Sequence, residues 1–555
     1  MTVFASERLL FKPASPHTDA IPTIFAFPNE YTVGITSLGY QIVWATLAMR
    51  PDVQVSRLFT DVSESLPRCS SSRIAGSPEL VGFSFSWELD YTNIFNLLES
   101  LDIPLDSARR NDNHPLVFGG GPVLTANPEP FADFFDVILL GDGENLLDNF
   151  IDAYKQVRKS GVRATKLRHL AQIPGVYVPS LYAVTYHGKD GTIKSIEPIE
   201  SGIPPLIQKQ TYRGNTLSAS TVVTEKAAWE NIYMVEVVRS CPEMCRFCLA
   251  SYLTLPFRTA SLEGSLIPAI EKGLTVTNRL GLLGASVTQH PEFETLLDYL
   301  SQPKYDNVRL SIASVRTNTV TEKLAKTLSQ KDTRSITIAV ESGSERLRQI
   351  INKKLSNDEI IQAAINAKAG GLKGIKFYGM VGVPGETGED VEQTVEMMQE
   401  LKKAAPGLRL TLGCSTFVPK SHTPFQWFGV NPEAKQRLKW LEKQLRSRGI
   451  DFRPESYNWS VIQALISRGD RRLSQLLKLT REYGDSLGSY KRAFKQLRGQ
   501  IPELDYYVHT DWQTEAILPW HHIIGPLPPT TLVKHLQDAL DRFPASELNW
   551  SLEDV

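Results

Sequence analysis

The sequence predicts an α/β protein in four stretches. These are a doubly wound parallel sheet over residues 1–165, a connector over 166–230, a partial TIM-type (β/α)6 barrel over 231–428, and a mostly helical region over 429–555. Three observations carry that prediction. Short apolar runs alternate with amphipathic stretches in the first third of the chain, and the same alternation returns six times between Ile232 and Phe425. Beyond Phe425 the strand pattern gives way to helical spacing rich in Lys and Arg. The 555 residues suffice for three or four domains, and 42% hydrophobic against 22% charged residues excludes a mostly disordered chain. Sixty basic against 61 acidic residues leave a net charge of −1, so no global field selects a nucleic acid or a membrane.

The first stretch offers strands at Thr32–Ile35, Leu80–Ser84, Leu116–Phe118 and Val137–Leu140, with helices at about Gly39–Met49, Tyr91–Leu101 and Glu144–Lys159. Buried strands between helices argue a parallel sheet, whose ligands bind outside the strands' carboxyl ends. Two glycine-rich turns stand there, Gly119-Gly120-Gly121-Pro122 and Gly141-Asp142-Gly143-Glu144. The lead-in MTVFASERLLFKPASPHTDAIP carries charges through its apolar part and reads as untargeted and partly loose, in a cytoplasmic protein. No apolar run reaches the roughly 18 residues of a membrane span. In the connector, Val176–Val178 and Tyr182–Tyr186 read as short strands, and GIPPLIQKQ as extended chain.

The second alternation places strands at Tyr233–Val238, Leu282–Val287, Val308–Ile312, Ser335–Val340, Gly374–Val381 and Arg409–Cys414. Helical patterns separate them at about Leu262–Thr277, Pro291–Leu300, Thr321–Ser329, Asp358–Ala369 and Asp390–Ala404. Six such units predict a full or partial barrel with its active face at the carboxyl ends of the strands.

There are five cysteines, Cys69, Cys241, Cys245, Cys248 and Cys414, too few for a disulfide scaffold. Three stand together in VVRSCPEMCRFCLAS, directly after the first barrel strand. Thiolates select zinc, copper(I) or an iron–sulfur cluster. A closed zinc site takes four ligands, and the nearest downstream histidine is His290. Three cysteines suit a 4Fe–4S cluster with one iron left open.

The pattern Cys241-x3-Cys245-x-Phe247-Cys248 resembles the cluster motif of the radical S-adenosylmethionine (SAM) superfamily. The resemblance implies that Cys241, Cys245 and Cys248 bind the metal and that the open iron chelates SAM. One electron from a low-potential donor of flavodoxin or ferredoxin type would cleave SAM to methionine and a 5′-deoxyadenosyl radical. By the same resemblance Phe247, Gly284, Ala285, Ser286, Ser314, Arg316, Glu341, Gly382 and Pro384 are expected around the cofactor, the last two in a GxPGET-like segment of the methylthiotransferase-like branch. Blocks such as FPNEYTVGITSLGYQIVW, GGGPVLTANPEPFADFFDVILLGDGE and LPWHHI resemble a family of uncharacterised radical SAM proteins over residues 27–525, with a cobalamin-binding-like N-terminal domain. The D-x-H-x-x-G motif that supplies a lower-axial histidine is absent, so cobalamin stands as an alternative cofactor, in a cobalamin-dependent methyltransferase. A second alternative, from another class, is a non-catalytic RNA-binding protein stabilised by zinc.

Apart from the motif only Cys69 and Cys414 remain, so a second three-cysteine cluster, as methylthiotransferases carry, is excluded. Cys414 reads as a small buried hydrophobe. On the active face, Lys420 and His422 are candidates to contact an anion or move protons, while Phe425 and Trp427 read as packing. Residues 431–500 hold 16 Lys/Arg against 7 Asp/Glu. There Lys435, Arg437, Lys439, Lys443, Arg446, Arg448, Arg468, Arg471 and Arg472, with Trp440 and Phe452 between them, make RNA a candidate partner. Asp470 is expected to pair with a neighbouring arginine.

Overall fold

The computed structural model describes residues 3–64, 77–313 and 315–544. Cys69 and Ser314 lie outside the described residues. The first sheet has six strands: β1 (Ile21–Ala26), β2 (Val53–Leu58), β3 (Leu80–Ser84), β4 (Leu116–Gly120), β5 (Val137–Leu139) and β6 (Val176–Tyr177). Their order is β2-β1-β3-β4-β5-β6, parallel except for β6. All six residues of β1 are buried, as expected for a central strand covered on both faces.

Three expectations for this part are corrected. Thr32–Ile35 is not a strand: Tyr31–Gly34 forms a helical turn, because the Asp61 carboxylate accepts the Tyr31 N–H at 2.8 Å and Tyr31 and Ile35 bury themselves one turn apart. The lead-in is tied down. Arg8–Leu9 pairs with Val222–Val223, and Glu7 binds the buried Arg57 guanidinium at 2.7 Å. Val176–Tyr177, read as part of the connector, closes the edge of the first sheet. The connector's other elements are a hairpin, β7 (Tyr182–Tyr186) with β8 (Ile193–Pro198), and β9 (Ile207–Gln208), which pairs with Ile523–Ile524.

The central part contains β10 (Ile232–Glu236), β11 (Arg279–Leu283), β12 (Arg309–Ile312), β13 (Ser335–Glu341), β14 (Gly374–Val381), β15 (Arg409–Thr416) and β16 (Asp451–Pro454). All are parallel, in one sheet of three strands and one of four, joined by a single bridge from Val315 to Ile338. The barrel is therefore open, and it gains a strand, β16, from the region read as helical. The second strand ends at Leu283, short of the expected Val287, because the chain turns at Gly284 and enters a 3-10 turn at Val287–Gln289.

The C-terminal region is mostly helical, with helices Ala434–Ser447, Tyr457–Arg468, Leu473–Glu482, Leu487–Gln496 and Pro529–Leu540. The first packs into the barrel core, and the others share one hydrophobic core with the N-terminal sheet. A buried polar set fixes that junction. Arg471 Nε donates to Glu129 at 3.0 Å, and Arg468 donates to the carbonyls of Tyr507 and Thr510 while its guanidinium lies 3.8 Å over the Trp512 ring. Among the described residues no helix is long and apolar enough to cross a membrane.

Candidate active site on the cysteine loop

The site begins where β10 ends. After Glu236 the chain bends, and Val238–Arg239 pairs with Arg258–Thr259 as a short antiparallel ribbon. The loop that follows holds two non-glycine residues in the left-handed region, Ser240 (φ 68°) and Met244 (φ 54°). Such residues are costly unless their surroundings fix them. Here they are fixed. Asn352 Nδ2 donates to the carbonyls of Glu243 at 3.0 Å and Met244 at 2.9 Å. Arg246, buried between two cysteines in sequence, donates to the carbonyls of Gln349, Ile350 and His535. The Cys248 N–H donates to the Cys245 carbonyl at 2.9 Å, and Cys248 then caps helix Leu249–Leu253. The C-terminal helix Pro529–Leu540 covers this loop, with His535 Nδ1 2.9 Å from the Tyr252 hydroxyl.

Cys241 and Cys245 line a small pocket at the carboxyl ends of the strands, with Ala285, Ser286, Arg316 and Lys353 among its walls. Cys245 is buried, and Cys241 and Cys248 are partly exposed. Burial pushes the Cys245 thiol up to about 12 against the pull of Lys353. Lys353 Nζ lies 3.2 Å from Glu341 Oε1. Burial opposes the lysine's charge, but Glu341 and Cys245 hold its pKa above the ordinary value. Glu341 itself adopts φ 67°, at a bulge between Ala339 and Glu341 where β13 meets β14. Such a bulge re-aims a side chain at a strand end. Arg316 Nη1 pairs with Glu243 at 3.2 Å, and Gln289 Nε2 donates to the same carboxylate.

The structure thus brings together Cys241, Cys245, Ala285, Ser286, Arg316 and, through Lys353, Glu341. Cys248, one turn beyond Cys245, is partly exposed and not on the pocket wall, nor are Phe247, Gly284, Gly382 and Pro384. Gly284 has φ 149°, and a side chain there would meet Val238 at 2.6 Å, so this glycine serves strand packing. Phe247 packs outward against the hydrophobic core. Gly382 (φ 74°) lies against Ala434, and its N–H donates to Glu386 at 2.6 Å; Pro384 lies beyond it in the same turn. Lys420 and His422 are also corrected. Lys420 pairs with Glu88 at 2.5 Å, and the half-buried His422 has Nε2 3.1 Å from the Ala126 carbonyl, so both tie the barrel end to the first domain. Phe425 and Trp427 are buried in packing, Cys414 is a buried core residue, and Asp470 pairs with Arg472 at 2.6 Å.

Sequence reasoning missed Glu243, Arg246, Lys353 and Asn352. Glu243 and Arg246 lie inside the motif and were legible as neighbours of cysteines. Lys353 and Asn352, in INKKL, carry no periodic or spacing signal.

A second cavity of about 240 Å³ lies at the carboxyl ends of the first sheet, where both glycine turns meet. Gly120, Gly121, Gly141 and Gly143 contribute backbone, and no histidine lines it. Asp142 and Glu144 of the second turn are committed to ion pairs: Arg239 reaches Glu144 at 2.7 Å and Asp142 at 3.3 Å, and Arg258 reaches Asp142 at 2.5 Å. Arg239 stands two residues before Cys241, so these pairs anchor the cysteine loop to the N-terminal domain.

Residues 235–398 match the Radical SAM superfamily, and residues 39–179 match the N-terminal domain of radical SAM proteins. The chain carries a radical SAM domain. That domain makes it an enzyme and implies a 4Fe–4S cluster and SAM. An uncharacterised protein of Methanocaldococcus jannaschii is 27% identical over 84% of this chain and 93% of its own length. A tRNA-2-methylthio-N(6)-dimethylallyladenosine synthase of Prosthecochloris aestuarii is 25% identical over 40% of this chain and 55% of its own length. Among solved structures, the radical SAM methyltransferase TsrM of Kitasatospora setae, with cobalamin and a [4Fe-4S] cluster bound, shares the fold. It has a TM-score of 0.50 and 15% identity, and the match covers 74% of this chain and 77% of that one.

Proposed function

We propose that Cys241, Cys245 and Cys248 hold a 4Fe–4S cluster whose open iron binds SAM, and that this radical SAM enzyme acts in the cytoplasm on an RNA substrate. The single observation that carries the site assignment is the loop itself. The left-handed Met244, held by Asn352, and Arg246, held to the segment behind the loop, turn Cys241 and Cys245 into a pocket at the strand ends, with Cys248 in the same eight-residue segment. The donor set fits the cluster better than a single ion. A closed zinc site takes four ligands, whereas a four-iron cube takes one thiolate per iron and leaves one iron open to SAM, and the loop supplies three thiols. This disfavours the zinc-stabilised alternative.

When bound, the cluster supplies the electron that cleaves SAM to methionine and a 5′-deoxyadenosyl radical. The chain's own residues do the rest. Ala285 and Ser286 leave room for backbone approach beside the cysteines. Lys353 brings a positive charge to the pocket of thiols and would meet the methionyl carboxylate of bound SAM. Glu341, held by Lys353, would offer its carboxylate to the amino group of bound SAM, and Arg316, held by Glu243, lines the pocket with a second cation. The electron comes from a low-potential donor of flavodoxin or ferredoxin type. RNA is supported by the tRNA-modifying synthase among the relatives, while the cysteine count disfavours sulfur insertion through a second cluster.

The test is anaerobic. The protein is reconstituted with iron and sulfide, given SAM and a strong reductant, and 5′-deoxyadenosine is quantified by mass spectrometry. Wild type is expected to form it, and Cys245→Ala to lose both the cluster's visible absorption and the product. Full product formation by Cys245→Ala would overturn the assignment.

The cavity at the two glycine turns favours a second reading, a cobalamin-dependent methyltransferase. The cavity offers backbone amides and no histidine, and at about 240 Å³ it is smaller than a corrinoid with its tail. It would take the tail alone, with no axial ligand from its walls. Titration with hydroxocobalamin, read as a change in corrin absorption, decides between the two readings.

A further inference from the structure

We infer that a groove in the C-terminal helices docks a single-stranded segment of the RNA substrate. The groove, of about 670 Å³, lies between helices Tyr457–Arg468 and Leu487–Gln496 and the segment that runs on to His509. Lys435, Lys491, Lys495 and Arg498 stand around it with one carboxylate, Glu503. All four cations are exposed, and none makes a side-chain ion pair or hydrogen bond among the described residues.

That freedom separates them from most arginines of 431–500, though Lys439 and Lys443 on the neighbouring helix face are also unpaired among the described residues. Arg437 is held by Glu386 and Glu433, Arg446 by Glu442, Arg471 by Glu129 and Arg472 by Asp470. Arg468 is buried beneath Trp512. Several arginines of the basic region are thus neutralised internally, while Lys435, Lys491, Lys495 and Arg498 stand unpaired around one concave surface.

The groove's shape selects the anion. Lys491 and Lys495 are one helical turn apart, about 6 Å along the axis. That spacing suits successive phosphates of an extended strand. Phe494, half-buried on the same helix, and Tyr457 on the facing helix offer rings to bases, over an apolar floor that includes Ile462. Free cations along a backbone track, with aromatic faces beside it, is the arrangement by which proteins hold single strands without reading sequence. An acidic peptide would use the cations and leave the rings without a role. Lys435, on the groove's rim, follows Ala434, which lies against Gly382 at the carboxyl end of β14.

The inference rests on the reading of the chain as a radical SAM enzyme and adds where its substrate binds. The test is fluorescence anisotropy of a labelled single-stranded oligoribonucleotide with the full chain, across a salt titration. Lys491→Ala/Lys495→Ala is expected to weaken binding at least about tenfold and to lower the salt slope by roughly 1.4, at 0.7 per lost phosphate contact. Phe494→Leu, which keeps an apolar side chain, is expected to weaken binding severalfold at unchanged salt slope. The control Lys439→Ala/Lys443→Ala removes the same charge from the neighbouring exposed helix face and is expected to change affinity less than twofold. Equal loss in both double variants, no binding by wild type, or competition by polyglutamate as strong as by RNA would each overturn the proposal. Deoxyadenosine formation without RNA is measured in parallel. If it persists while RNA binding fails, the groove alone falls; if it is absent, the enzymatic reading falls with it.

Discussion

Replacing Asn352 tests whether the cysteine loop is held in its binding shape by the segment behind it. Asn352 Nδ2 donates to two carbonyls of the loop, those of Glu243 and Met244, at 3.0 and 2.9 Å. Asn352 itself sits at φ 56°, where asparagine and glycine are tolerated and alanine is not. Two substitutions therefore separate two effects. Asn352→Gly keeps the backbone conformation and removes both hydrogen bonds, each contributing about 1 kcal/mol. The loop must then be ordered by the cluster itself, and apparent cluster affinity falls by up to about 30-fold, the equivalent of roughly 2 kcal/mol. Asn352→Ala adds about 1 kcal/mol of left-handed strain, a further loss of about fivefold. The assay is anaerobic competition with an iron chelator, followed by the loss of charge-transfer absorption. Retention should rank wild type above Gly above Ala. Two variants within threefold of wild type would refute the idea that these bonds hold the loop, and equal loss in both would refute the conformational part.

Two further outcomes follow from buried charge. Arg239 serves Glu236, Asp142 and Glu144 at the seam between the first domain and the cysteine loop. Arg239→Met leaves Glu236 and Glu144 unpaired, Asp142 keeping Arg258, and is expected to cost about 3 kcal/mol, read as a lower urea midpoint, with cluster retention falling in parallel; an unchanged midpoint would show the seam to be held elsewhere. His522 is buried and His422 half-buried, and desolvation lowers each pKa from 6.5 to about 4. They stay neutral in the folded protein while the unfolded chain takes up protons below pH 6.5, so stability is full above that pH and declines as pH falls toward 4. The loss approaches about 3 kcal/mol for each histidine. Urea unfolding at a series of pH values should show that slope, and His422→Gln should remove about half of it.

The central repeat was legible because parallel strands buried on both faces must be written as apolar runs, and all six expected runs are strands or overlap them. The errors have local causes. Thr32–Ile35 is apolar enough for a strand, but the Asp61 cap, 30 residues away, makes it a helical turn. β1 was missed because Pro22 and Thr23 interrupt its apolar pattern, and β16 because only Phe452 in it is buried.

By itself the sequence determined the cofactor chemistry. Three thiols at fixed spacing after a strand restrict the metal, and no distant contact alters which residues those are. It also determined the alternation that builds the two sheets, since burial periodicity is local. The tertiary structure alone decided which charges are free. Lys420, His422 and most arginines of the basic region look identical in sequence to the lysines around the groove. Lys420, Arg471 and Arg437 differ because Glu88, Glu129 and Glu386, 51 to 342 residues away, take up their charge, and His422 because it is folded against the Ala126 carbonyl. The same holds for Lys353 and Asn352, which reach the cysteine loop through chain closure across the barrel and not through any pattern in their own segment.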